Sequence, residues 1–291
     1  MNYLKFLVLS LLLLNNVSFS QENYDFIGVI QLPDNGIISY RVFFTEMNGD
    51  INGFSVTDLQ GDHETKSIIS GKIDKENDKL TFKESEIIYT KSDELTSDFC
   101  FIHFKGKLKL NNSKALIEGS FEGLYNDGVK CTDGSIKLVG EDALYKKANK
   151  LTKKINKTNR ISDSIKSSFS PVKMINDLKM NTLNSNNNIN VYTTSENYSI
   201  KLWDAGKEDG DKIFIYLNGK ILISKYEVIK QVKEIDIKLV KGVNVLKIVA
   251  YNNGKIAPNT AKMIITDGTL EHDLSTNLSK GEFAKITIIR K

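Results

Sequence analysis

Apolar and polar residues alternate with a period of two in a series of short runs between Tyr24 and Gly140. The runs read YDFIGVIQL, GIISYRVFFTEM, INGFSVTD, ETKSIISGKI, KLTFKESEIIYT, DFCFIHFKGKLKL, KALIEGSFEGLY and GSIKLVG. Between them stand PDNG (33–36), NGD (48–50), KEND (75–78), NNS (111–113) and NDG (126–128). Asn, Asp and Gly at such places bond their own backbone or accept positive φ, so each cluster predicts a turn. The alternation is clearest from Phe99 to Leu110. Cys100, Ile102, Phe104, Leu108 and Leu110 point one way, and His103, Lys105, Lys107 and Lys109 the other. A strand with one dry face and one wet face has that period. The expectation for 21–140 is an eight-stranded antiparallel β-domain, either closed as a barrel or folded as two sheets.

The period changes at Glu141. Leu144, Ala148, Leu151, Ile155, Thr158, Ser162 and Ile165 recur at steps of four and three, which predicts an amphipathic helix. Seven basic residues lie from Lys146 to Arg160 with no acid among them. Such a helix either meets a membrane surface or polyanion, or shows its solvated face while packing on a β-domain. Residues 167–190 lose the pattern, and NSNNN (184–188) has the composition of a polar linker. The stretch 141–190 is therefore read as a basic helix and linker. Strand patterns return over 191–291, where Asn218-Gly219 is a hairpin signal. About seven strands in about 100 residues match an immunoglobulin-like β-sandwich in size, without the Cys–Trp–Cys core of a true immunoglobulin domain. The fold class is all-β.

Residues 1–20, MNYLKFLVLSLLLLNNVSFS, stand apart from this patterning. Lys5 precedes an apolar run from Phe6 to Leu14, too short to span a bilayer, and Ser18 and Ser20 fit a cleavage site before Gln21. This predicts a signal peptide and an exported protein: periplasmic, at the cell surface or secreted. No later run is apolar enough for a transmembrane segment, so any membrane contact would be peripheral, through the basic helix. In an oxidising compartment the two cysteines, Cys100 and Cys131, are expected to pair. Closing that loop would contribute about 3–4 kcal/mol. A net charge of +4 is no footprint for nucleic acid.

Candidate chemistry is sparse. His63 opens HETKS, but Ser67 stands where a zinc HExxH motif needs its second histidine, and the chain has three histidines in all. No GxSxG elbow, P-loop or GxGxxG occurs. Glu84 and Glu86 read as solvent-facing. A hydrolase would need only two carboxylates meeting in space within the first domain, which keeps that class open. In DAGKEDGD, Asp204, Glu208, Asp209 and Asp211 gather oxygens and glycines suited to calcium, although the EF-hand spacing is broken. The same residues are ordinary turn formers. Trp203, Phe214 and Tyr216 alternate with aliphatic residues and so leave the sandwich interior. Aromatics outside a core stack on sugar rings or anchor a partner, unless another part of the chain covers them.

FSVTDLQGDHETKS (54–67), KLTFKESEIIYTKS (79–92), DFCFIHFKGKL (98–108) and CTDG (131–134) resemble a family of exported, β-rich, two-domain proteins of Bacteroidetes-type bacteria. LWDAGKEDGDKIFIYLNGK and YNNGKIAPNTAKMII (251–265) resemble a β-sandwich module found at the ends of such proteins. The resemblance implies export and architecture; it implies no activity, cofactor or catalytic residue. The first domain is similar in strand count to lipocalin-like and avidin-like barrels but lacks their early Gly-x-Trp. The functional expectation is a non-enzymatic binding or adhesion-type protein that recognises a glycan or an envelope protein through its C-terminal domain. The alternatives are an extracytoplasmic hydrolase and a purely structural accessory protein.

Overall fold

The computed structural model describes residues 21–94, 96–110, 115–158, 160–168 and 170–291. The expected signal peptide and the NNS turn lie outside them. Eight strands come first: β1 Glu22–Gln31, β2 Ile37–Met47, β3 Asp50–Thr57, β4 Thr65–Asp74, β5 Lys79–Thr90, β6 Phe101–Lys109, β7 Leu116–Leu124 and β8 Lys130–Gly140. Each pairs antiparallel with its neighbour, β8 returns to β1, and β5 meets β6, so the sheet closes as a barrel. The alternation explains the interior. Phe26, Tyr40, Val42, Phe44, Leu80, Phe82, Phe104, Ile117 and Leu138 point inward and form one core, with Phe82 and Phe104 stacked at 4.9 Å. Fully burying an apolar side chain of this size stabilises by about 1.5–3 kcal/mol. Cys100 and Cys131 form a disulfide. The bridge lies over Gly123 of β7, where a Cβ would fall 2.4 Å from Cys100 Sγ, so only glycine fits beneath it.

Among the described residues three helical segments follow: α1 Glu141–Asn156, α2 Asp163–Ser168 and α3 Pro171–Leu178. α1 buries Ala143 and Ala148 and turns its lysines to solvent. The predicted helix ends early, and residues 170–190, read as a linker, contain a helix and strand segments. Ser170 caps α3 by accepting from Lys173 N–H at 3.2 Å, with Pro171 at the first helical position. No helix among the described residues is long and apolar enough to cross a membrane.

The C-terminal strands are β9 Asn181–Asn184, β10 Asn188–Thr193, β11 Asn197–Trp203, β12 Lys212–Leu217, β13 Lys220–Glu227, β14 Lys233–Lys238, β15 Gly242–Ala250, β16 Asn259–Thr266, β17 Glu271–Leu278 and β18 Phe283–Arg290. The Asn-rich run read as a linker joins β9 to β10. One sheet runs β13-β12-β15-β18-β10 and the other β14-β11-β16-β17-β9. Ile213, Ile215, Ile248 and Ile286 of the first meet Ile200, Leu202, Met263 and Ile265 of the second in a single core. The Asn218-Gly219 turn has φ of 51° and 79°, as a type I′ hairpin requires.

β5 joins the two halves. Lys79–Lys83 pair with β6, after which the strand breaks register twice against β4 and leaves the barrel wall. Its last residues pair with β10 at Tyr89↔Val191 and Thr90↔Asn190. Ile88 and Tyr89 thereby enter the sandwich core, and Phe54 and Ile68 of the barrel pack against it.

Candidate functional site

The divergence of β5 from β6 would strand the Ile102 N–H. Glu84 occupies the gap. Its Oε2 accepts from Ile102 N at 2.8 Å, and its Oε1 accepts from the Tyr40 hydroxyl at 2.8 Å and the Ser55 hydroxyl at 2.5 Å. The expectation that Glu84 faces solvent is corrected: it is buried, while Glu86 is exposed. Burial pushes the Glu84 carboxyl above its ordinary value, against the three hydrogen bonds that favour ionisation.

Barrel, α3 and the β9-containing sheet meet around a cleft of about 430 Å³. The barrel contributes Arg41, Phe54, Lys66 and Tyr89, the end of α3 leads into Lys179, and the sheet contributes Asn181, Trp203, Lys262 and Asp273. Two of the four cations are tied down. Arg41 grips Asp25 with two bonds, at 2.9 and 2.7 Å, and Lys179 reaches Glu141 at 2.5 Å and Asp25 at 3.3 Å. Burial alone would raise Asp25, but these partners hold it below the ordinary carboxylate value. Lys66 has no ion pair among the described residues; its ammonium rests 3.9 Å from the centre of the Phe54 ring. Burial pulls the Lys66 amine down to about 8; Arg41 adds to the fall, while Asp273 and Glu64 oppose it.

The cleft floor is polar. Tyr89 donates to the buried Glu64 at 2.7 Å, and Glu64 also faces Lys91 at 3.5 Å. Asn181 is 3% exposed and lies near the Tyr89 hydroxyl, yet neither atom of its amide meets hydrogen-bond geometry. His272 packs edge-on to Tyr89, with both ring nitrogens unpartnered among the described residues. Burial, helped by the charge of Lys66, lowers its pKa to about 4 and so keeps the ring neutral. No sequence signal marked Lys66, Asn181 or Arg41, because they meet only through pairing between distant strands.

Trp203, Phe214 and Tyr216 do not form one surface. All three turn away from the sandwich interior as their parity predicts, but Trp203 is on β11 and the others are on β12, in the opposing sheet. Trp203 faces the cleft. Phe214 and Tyr216 sit on the opposite outer face, 6.1 Å apart, with Tyr251 joining Phe214 edge-on at 5.6 Å.

The acidic loop divides as well. Glu208 is exposed and accepts from Lys230 N at 2.6 Å. Asp204, Asp209 and Asp211 are buried. Asp204 accepts from Gly206 N at 2.6 Å, Asp209 Oδ2 from Ile256 N at 2.8 Å, and Asp211 Oδ2 from Thr260 N at 2.8 Å. Burial pushes the Asp211 carboxyl up to about 6; the Thr260 N–H opposes the rise and the charges of Asp209 and Asp204 add to it. Among the described residues no group of three or more His, Cys, Asp or Glu side chains is arranged around one metal position. Asp204, Glu208, Asp209 and Asp211, expected from the sequence as a metal set, are thus not gathered around one position among the described residues.

Comparison with known proteins returned no matching family, no matching curated protein and no matching solved structure.

Proposed function

We propose that this is an exported, non-enzymatic binding protein whose cleft takes an acidic glycan. Lys66 carries the reading: a cation shielded from water, seated on an aromatic ring and without a carboxylate partner, at the wall of an accessible cleft. Lys262 adds a second cation with no ion pair among the described residues. Trp203 supplies a flat apolar face on which a sugar ring can stack. Asn181 lies buried beneath them, beside the Tyr89 hydroxyl. A uronic acid or sulfated sugar combines the two features these groups complement: negative charge and a stackable ring. Envelope partners with exposed carboxylates share only the first.

The hydrolase alternative finds no support at its strongest point. Glu84, the buried acid of the first domain, is committed to three hydrogen bonds inside a filled barrel.

Titration calorimetry with a uronic-acid oligosaccharide and a neutral glucan tests the proposal. The acidic ligand should bind, more weakly at high salt. Lys66→Met should cost on the order of tenfold to a hundredfold, as loss of a charged hydrogen bond does. Trp203→Ala should cost roughly tenfold. Equal binding of both sugars, or variants that bind as tightly as the parent, would refute it.

A further inference from the structure

Buried carboxylates need a counter-charge, because removing an ion from water costs far more than one hydrogen bond returns. Asp204, Asp209 and Asp211 have none: among the described residues no Lys, Arg or His pairs with any of them. The nearest candidate by sequence, Lys212, reaches Glu227 at 3.3 Å instead.

Two unsatisfied carboxylate oxygens share a place. Asp209 Oδ1 and Asp211 Oδ1 are both inaccessible to solvent, and neither has a hydrogen-bond partner among the described residues. A Cβ built on Gly254 would lie 2.6 Å from each, so the two oxygens flank the same small space and are at most twice that distance apart. In each carboxylate the second oxygen is fixed by a backbone N–H, from Ile256 or Thr260, which sets the direction of the free one. Elsewhere in the same loops Asn259 ties the chain, its amide nitrogen donating to Lys212 O at 3.1 Å and Asn252 O at 3.0 Å. Gly254 adopts φ of +60° and has no side chain, which keeps the space open.

Two like charges held together, oriented from behind and left bare in front define a cation site. We infer that Asp209 and Asp211 bind one divalent metal ion, calcium by its ligand chemistry. Hard oxygen ligands without nitrogen or sulfur select calcium or magnesium. Calcium tolerates irregular geometry and completes its shell with carbonyl oxygens and water, as a site with only two carboxylates needs. Asp204 lies close enough for its charge to act on Asp211, so it adds to the local potential while its Oδ1 stays on Gly206 N.

The test uses the full exported chain, dialysed against chelator and then titrated with calcium alone or magnesium alone. Two signals are read: the heat of binding, and the melting temperature followed by fluorescence of Trp203, the neighbour of Asp204. Calcium at a hundredfold excess over its dissociation constant should raise the melting temperature by about 5 °C or more, reversibly by chelator. Asp209→Asn with Asp211→Asn should abolish both signals yet stay folded, because each Asn keeps an oxygen for its backbone donor. Gly254→Ala should weaken binding at unchanged charge, by filling the space. No heat and no melting shift up to millimolar calcium would overturn the assignment. So would a calcium response that survives in the double variant.

Discussion

Glu84 shows how a single polar side chain can be dictated by strand topology. It shares strand parity with Leu80 and Phe82, and parity prevails over its charge because the divergence of β5 leaves a backbone donor to be satisfied. Glu84→Ala would leave the Ile102 N–H and two hydroxyls without their acceptor, at a cost of about 3 kcal/mol or more. Glu84→Gln keeps an acceptor and should cost less. The two also separate by pH. The folded-state pKa of Glu84 is raised above 4.5, so its contribution is full below that value and is lost as pH rises through the raised one. Melting from about pH 4 to about pH 8 should therefore show the parent losing stability relative to Glu84→Gln. A constant difference between the two would remove Glu84 from the acid–base balance of the fold.

The strands and helices divide into those written locally and those that are not. The barrel strands were legible because each has a dry face and a turn of Asn, Asp or Gly at its end. Ser170-Pro171 carries a helix-start signal that the surrounding Ser and Asn obscured, and α3 was missed with it. For Trp203, Phe214 and Tyr216 the parity was legible but the sheet was not: β11 and β12 follow each other in sequence and lie in opposing layers. The burial of the acidic loop depends on Ile256 and Thr260, more than forty residues away. The cleft has the same origin, and its pH response follows from its neighbours. Lys66 faces Arg41 from β2, Lys179 after α3, Lys262 from β16, Asp273 from β17 and Glu64 before β4. Its charge is lost as pH rises through about 8, so affinity for an acidic sugar should fall across that pH. Lys66→Arg, which stays charged, should hold its affinity above pH 8 if the cation is what the ligand meets. A parallel decline in both proteins would assign the pH effect elsewhere.

In the whole molecule, β5 makes the barrel and the sandwich mechanically dependent. Ile88 is 4% exposed and belongs to the sandwich core although its strand begins in the barrel wall. Tyr89 lies beside it, under the cleft, with Phe54 and Ile68 completing the seam. Neither half can unfold without exposing apolar surface that the other covers. One cooperative transition is therefore expected in calorimetry, with Trp203 fluorescence on the sandwich side and far-ultraviolet dichroism following the same curve. Ile88→Ala removes buried methylenes at the seam and should cost about 2–5 kcal/mol. The transition should then move as a whole, because both halves lose the same support. Should Ile88→Ala instead split the curve, with fluorescence melting ahead of dichroism, the seam would be a contact between independently stable units. The cleft would then open by their separation, and ligand binding would be tied to the relative placement of barrel and sandwich.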